Sequence, residues 1–212
     1  MKIRNIILDL GGVIIDVDIF KTHSEFTSLG VENFELIYSK MKQTHFFDEY
    51  DKGLITDEQF RKELRKYLPD SATDLQINNA WNAMLGTIPQ ERIVYLKSLK
   101  KVFRLFLLSN TNTMHVAKFT NIIRNDFGTE ILDQIFEGIY FSCRIHKRKP
   151  DAEAFEHIIS ENKLQRNETI FVDDSMQHVE GGIQCGIRSF YLDLSLHKLE
   201  DFLPGLLTQN NT

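Results

Sequence analysis

Residues 6–12, Ile-Ile-Leu-Asp-Leu-Gly-Gly, pass from three consecutive aliphatic side chains straight into an acid and then a glycine pair. Apolar runs this short and unbroken read as strands covered on both faces, as in a parallel sheet. The pattern recurs twice. Leu105-Phe106-Leu107-Leu108 runs into Ser109 and Asn110, and Ile170-Phe171-Val172 runs into Asp173 and Asp174. In open α/β sheets, ligands bind beyond the carboxyl ends of the strands. Three distant segments are therefore expected to deliver polar groups to one place. Two weaker strands are expected over 138–143 and 188–192.

Helical patterns lie between these strands. Residues 90–101 follow Pro89, with Ile93, Leu96 and Leu99 at helical spacing, and residues 151–162 follow Pro150, with Ala154, Phe155, Ile158 and Ile159 on one face. Alternating strands and helices predict an α/β fold, a three-layer Rossmann-like parallel sheet core. The stretch from about residue 18 to residue 85 reads differently, because it holds no convincing strand. Thr56 with Gln59 three residues on is a helix-capping pattern, followed by Phe60, Leu64 and Leu68. We expect a small all-helical cap inserted after the first strand, packed around Trp81 and the phenylalanines. The expected division is 1–17 plus 88–212 for the core and 18–87 for the cap. The polar tail, 208–212, is expected to fray.

Composition excludes several classes. At 212 residues and 42% hydrophobic content the chain can bury a sizeable core. A net charge of -5, with basic residues dispersed, is not a nucleic-acid footprint. The opening segment MKIRNIILDLGGVIIDV has a basic lead and an apolar run, but Asp9 interrupts it, and it reads as a strand rather than a leader. No stretch approaches the ~20 apolar residues of a membrane span. The two cysteines, Cys143 and Cys185, are expected as free thiols in a reducing compartment. The seven histidines show no metal-ligand spacing, and Met114, Met176 and the Phe-rich stretches are expected in the core.

LDLGGVIIDVD (8–18), LLSNTN (107–112), RKPDAEAF (148–155) and FVDDSMQHVEGG (171–182) occur in that order. Together they resemble the four motifs of the haloacid dehalogenase-like (HAD) superfamily, which consists mostly of phosphatases. The resemblance spans nearly the whole chain. With HFFDEYDKGLITDEQF (45–60) in the cap, the wording is most similar to the bacterial branch that includes an α-glucose-1-phosphate phosphatase.

The resemblance implies roles. Asp9 matches the nucleophile, a carboxylate that attacks phosphorus and splits one hard step into two. Asp174 matches the metal carboxylate, with Asp173 as a second ligand or an outer-shell partner, and the carbonyl of Gly11 completes the protein's share of a magnesium site. Ser109 and the amide of Asn110 match the phosphate-holding motif. Lys149 matches the motif lysine, a point charge against the phosphate and Asp9. Each has a plainer alternative: a turn-capping acid at Asp9, a helix cap at Asp173-Asp174, a polar turn at Ser109, a solvated basic loop around Lys149. Two adjacent acids after an apolar strand repel each other without a cation, which favours the metal. The expected substrate is a small phosphorylated metabolite, with magnesium as cofactor, no nucleic-acid or membrane partner, a cytoplasmic setting and either a monomer or a dimer.

The sequence departs from the family at one position. Most phosphatases of the superfamily carry a second Asp two residues after the nucleophile as general acid and base, worth typically ~10²–10⁴-fold in rate. Here that position is Gly11. Either the substrate has a good leaving group, as in an anomeric sugar phosphate, or metal-bound water or the cap supplies the acid. His146 replaces a common glycine and reads as a tolerated loop residue, while His23 and His45 lie in the cap. The competing functions are 2-haloacid dehalogenation, which needs no metal, and a catalytically degenerate protein that binds a phosphometabolite.

Overall fold

The computed structural model describes residues 2–38, 45–128 and 130–210. The strands are β1 Asn5–Leu8, β2 Arg104–Ser109, β3 Gly138–Phe141, β4 Thr169–Asp173 and β5 Arg188–Tyr191. They form one parallel sheet in the order β3-β2-β1-β4-β5. Leu8 lies beside Leu107 on one side and Val172 on the other, which sets Asp9 level with Asp173.

The unbroken apolar runs are explained by the two sheet faces, since successive side chains point to opposite sides. Ile6, Leu8, Leu105, Leu107, Ile170 and Val172 join one hydrophobic cluster, and Ile7, Phe106, Leu108 and Phe171 join another. Around the sheet stand α6 Gln90–Lys100, α7 Thr113–Phe127, α8 Ile131–Ile135, α9 Ser142–Ile145, α10 Ala152–Glu161, α11 Met176–Gln184 and α12 Leu199–Asn210. Helices α6, α7, α8 and α12 supply the first cluster, and α10 supplies Ala154, Phe155, Ile158 and Ile159 to the second. The result is the expected three-layer α/β architecture.

Between β1 and α6 the described elements are helices, among them α1 Ile19–Ser28, α2 Phe34–Ile37, α3 His45–Asp51, α4 Asp57–Leu64 and α5 Asp74–Asn82. Both α4 and α5 open on a complete capping box, Thr56 with Gln59 and Thr73 with Gln76, which satisfies two backbone donors at each helix start. The insertion has its own core. Trp81, 1% exposed, packs against Tyr38, Phe47 and Phe60 at ring-centroid distances of 4.9, 5.4 and 5.1 Å.

Contacts between described residues join this small core to the sheet layers, among them the following. His115 of α7 stacks on Trp81, whose Nε1 donates to Asn112 at 3.3 Å. The end of α3 is fixed to the loop before α10: Arg148 pairs with Asp48 at 2.5 Å, Lys52 with Asp151 at 3.0 Å, and His146 Nδ1 meets the Lys52 carbonyl at 2.8 Å.

Three expectations change. Met176 is exposed rather than core, because it opens α11 on the solvent side. Residues 142–143 belong to α9, so β3 stops at Phe141. The chain past residue 208 continues α12 to Asn210, because Leu199, Leu203, Leu206 and Leu207 bury a stripe that anchors the helix. Residues 211–212 lie outside the described residues. Both cysteines are free. Among the described residues no helix is long and apolar enough to cross a membrane.

Candidate active site

Asp9 leaves the end of β1 at the centre of the sheet. Its amide donates to the Val172 carbonyl at 3.0 Å, which orients the backbone where the strand stops. Lys149 approaches from the loop before α10 and is fully buried. Its Nζ donates to Asp9 Oδ1 and to Asp173 Oδ2, each at 2.5 Å, and lies 5.3 Å from the centroid of the Phe171 ring. A buried ammonium is tolerated only when paired and hydrogen-bonded, and Lys149 has both acids.

Asp173 is held from several directions. Oδ1 accepts from the Ser175 amide at 2.8 Å, and His178 Nδ1 lies 3.0 and 3.1 Å from the two carboxylate oxygens. Burial opposes ionisation of Asp173, but Lys149 and His178 outweigh it and hold this carboxyl well below its ordinary range. Asp9 behaves oppositely. Burial is the largest influence on it, Lys149 only partly offsets that, and the neighbouring acids add repulsion, so its pKa rises to about 7.

Ligand atoms from Asp9, Asp173 and Asp174 lie within 4.8 Å of one another. Three carboxylates against one ammonium leave a negative excess in a buried place, and this donor set of hard oxygens suits a hard divalent cation. Asp174 is the half-buried member and, like Gly11, lines the cavity above Asp9. That cavity has a volume of about 140 Å³, below the ~300–1,000 Å³ of drug-sized pockets. It suits a small metabolite.

All the residues expected from the four motifs meet here. Ser109, buried at the end of β2, lines the cavity with Asn110. The Asn110 side chain does something further, since Nδ2 donates to the Lys149 carbonyl at 2.8 Å and Oδ1 accepts from the Lys149 amide at 2.9 Å. The cap histidines take no part in lining the cavity. His45 pairs with Glu49 on α3, and His23 sits between Phe20 and Phe34. His146 contacts cap backbone instead.

Among the lining residues not singled out from the sequence are Asp51, Asn112, Arg148 and His178. Asp48 and Asp51 are three apart on α3 and therefore share a face, a signal that could have pointed to them. Arg148 stands beside Lys149 in the third motif, where nothing local marks it as a cavity residue. Asn112 caps α7, accepting from the His115 amide at 3.1 Å, and its cap role conceals its place in the cavity wall.

Comparison with known proteins gives the same assignment from outside. Residues 3–186 match the family model described as haloacid dehalogenase-like hydrolase. D-ribitol-5-phosphate phosphatase of Bacteroides thetaiotaomicron is 29% identical over 188 residues, covering 89% of this chain and 91% of the relative. A HAD family enzyme from the same organism, crystallised with magnesium and inorganic phosphate, superposes with a TM-score of 0.81 at 29% identity over 94% of this chain and 99% of the other. A predicted HAD-like hydrolase from Porphyromonas gingivalis covers both chains completely, with a TM-score of 0.84 at 30% identity. These matches do not confirm the glucose-1-phosphate branch suggested by the motif wording. With its four motifs converging on one buried cluster and residues 3–186 matched, this chain belongs to the haloacid dehalogenase-like hydrolases.

Proposed function

We propose that this protein is a magnesium-dependent phosphatase of a small sugar or polyol phosphate, working through an aspartyl-phosphate on Asp9. The observation that carries this reading is the Asp9–Lys149–Asp173 cluster, with Lys149 Nζ at 2.5 Å from both acids and Asp174 beside them. A relative similar over most of its length is named for D-ribitol 5-phosphate, and a similar structure holds magnesium and phosphate.

Asp9 attacks phosphorus in line, and the bond to the leaving oxygen breaks. Ser109 Oγ and the Asn110 amide donate to phosphoryl oxygens as charge shifts onto them. Lys149 neutralises both the incoming phosphate and Asp9. Water then attacks the aspartyl-phosphate, releasing inorganic phosphate and restoring the carboxylate. Asp9, the Gly11 carbonyl and Asp174 would hold magnesium, which would supply positive charge against the carboxylates and the phosphate. Asp173 orients Lys149 from just outside. The helical insertion, 18–87, serves as the cap over the core formed by 1–17 and 88–212, and gives the cavity its selective wall. Two free cysteines and dispersed charge favour a cytoplasmic protein with no nucleic-acid or membrane partner.

The test is phosphate release from sugar and polyol phosphates, with magnesium and with chelator, for the wild type and Asp9→Asn. Metal-dependent turnover that disappears in the variant is the expected result. Turnover that survives Asp9→Asn overturns the reading.

A further inference from the structure

We propose that Asp51, delivered by the helical insertion, is the general acid and base that this chain lacks at position 11. The proposal rests on the phosphatase reading above and concerns how the leaving group departs. A phosphate on a primary alcohol, the kind of ester for which the ribitol phosphatase is named, leaves as a strongly basic alkoxide unless it receives a proton. Some group in the cavity must give it, and Gly11 has no side chain to do so.

The titratable groups that line the cavity can be taken in turn. Asp9 is the nucleophile, and Asp174 belongs to the metal cluster. His178 is engaged by Asp173. Both ring nitrogens of His115 have partners, Nδ1 facing Asn112 Nδ2 at 3.3 Å and Nε2 facing the Trp81 carbonyl at 3.1 Å, with the ring stacked on Trp81. Burial pushes His115 down to about 4, so it stays neutral and fixed. Burial drives Tyr38 the other way, so it holds its proton and is a poor general acid near neutral pH. Arg148 is a guanidinium paired with Asp48. Asp51 remains.

Asp51 is placed for the task. It ends α3 and lines the same cavity as Asp9. Ser142 Oγ donates to the Asp51 carbonyl at 2.5 Å, fixing the backbone. Asn112 Nδ2 donates to Oδ1 at 3.3 Å and aims the carboxyl. Its charged and titratable surroundings are Arg148, Asp48, Tyr38, Cys143 and, through Asn112, His115. Burial raises its pKa to about 6, with Arg148 and Asn112 pulling the other way. A carboxyl of that kind exchanges protons near neutral pH.

The steps balance. In the first, an Asp9 oxygen bonds to phosphorus, the bond from phosphorus to the alcohol oxygen breaks, and the Asp51 proton passes to that oxygen, leaving the free alcohol and a carboxylate at Asp51. In the second, Asp51 takes a proton from water as the water oxygen bonds to phosphorus and the Asp9–phosphorus bond breaks. Phosphate is released, and both acids return to their starting forms.

The experiment compares ribitol 5-phosphate with p-nitrophenyl phosphate, whose leaving group departs as a stable anion. Asp51→Asn is expected to lower kcat/KM for the alkyl ester by ~10²-fold or more, with much less effect on the activated ester, and to remove the fall in the alkyl-ester rate on the alkaline side of the pH profile. Asp51→Ser, which also lacks a titrating group, should show the same selectivity, so a folding defect peculiar to one variant cannot imitate it. Equal losses on both substrates in both variants, or no loss on either, overturn the role of Asp51 while wild-type turnover leaves the phosphatase reading standing. If the wild type hydrolyses neither ester, the phosphatase reading falls, and the assignment of Asp51 falls with it.

Discussion

Asn110 grips the backbone of Lys149 on both sides, its Nδ2 2.8 Å from the Lys149 carbonyl and its Oδ1 2.9 Å from the Lys149 amide. The residue that follows the phosphate-holding serine thus also sets the position of the motif lysine. A carboxamide is needed for this, because one end must donate and the other accept.

Asn110→Asp should therefore behave worse than its size suggests. The carboxylate accepts from the Lys149 amide but cannot donate to the carbonyl, and it adds negative charge beside a cluster that already has an excess. We expect kcat to fall by ~10–100-fold, since small misplacement of a catalytic group has effects of this size. Stability should fall by ~1–3 kcal/mol for the donor lost. Kinetics and thermal melts of Asn110→Asp beside Asn110→Ala check both, and an unchanged kcat in the two variants would remove the clamp from the mechanism.

Three of the four motifs were legible because each ends a buried strand. The runs ending at Leu8, Leu108 and Val172 cannot alternate polar and apolar residues when both sheet faces are covered, so the break at Asp9, Ser109 and Asp173 stands out. Lys149 was legible only by resemblance. Nothing in its local sequence distinguishes a fully buried ammonium from its neighbours, and its identity depends on acids 140 and 24 positions away. Asp51, Arg148 and Asn112 are harder to read because their places in the cavity wall come from docking the insertion on the core, and the spacing of Asp48 and Asp51 marks only a shared helix face. The exposed Met176 was misread for a similar reason, as hydrophobic character alone does not say which side of a helix faces solvent.

Asp9→Asn should stabilise the metal-free protein at neutral pH while abolishing turnover. The Asp9 carboxyl is raised from its ordinary 3.8 to about 7, chiefly by burial. A carboxyl with a raised folded-state pKa binds its proton more tightly in the native protein than in the unfolded chain. Its contribution is therefore greatest below pH 4 and is lost as pH rises through 7. Asparagine has no charge to lose, so in chelator the variant should out-melt the wild type above pH 7 by on the order of 1–3 kcal/mol, with the difference shrinking towards pH 4. Magnesium should then favour the wild type. A variant that melts below the wild type across this range in chelator counts against an energetically strained Asp9.

The adjacent glycines should respond differently to alanine. Gly12 has φ +81, and a Cβ there would collide with the Asp174 carboxylate and with Leu194. Gly11 has no positive φ, and its Cβ would meet only Val17 at 3.4 Å and Asp9 at 4.0 Å. Gly12→Ala incurs the left-handed cost of ~1–2 kcal/mol and also displaces Asp174, so magnesium affinity should drop by at least tenfold. Gly11→Ala should keep most of its metal affinity. Calorimetric titration of magnesium into each variant separates the two, and similar affinities in both would deny Asp174 its role as a ligand.

The seating of the insertion gives a further prediction at Gly53, just after α3. Its φ is +65, and a Cβ there would run into the backbone carbonyl of Cys143 in α9. Two separate costs meet at this position, one of conformation and one of contact, and two substitutions divide them. Asparagine tolerates the left-handed region far better than alanine does, yet both add the same Cβ against the same carbonyl. If the contact dominates, Gly53→Asn and Gly53→Ala should be nearly equal, each pushing α3 off the core, moving Asp51 and Arg148 out of the cavity wall, and raising KM for the small phosphate ester. If conformation dominates, Gly53→Asn should recover most of the wild-type behaviour. The collision with backbone, which cannot swing aside as a side chain can, makes us expect the first outcome. Hydrogen exchange then supplies the structural readout, with amides of α3 and α4 losing protection while those of β1, β2 and β4 keep theirs, because the sheet has a separate hydrophobic core.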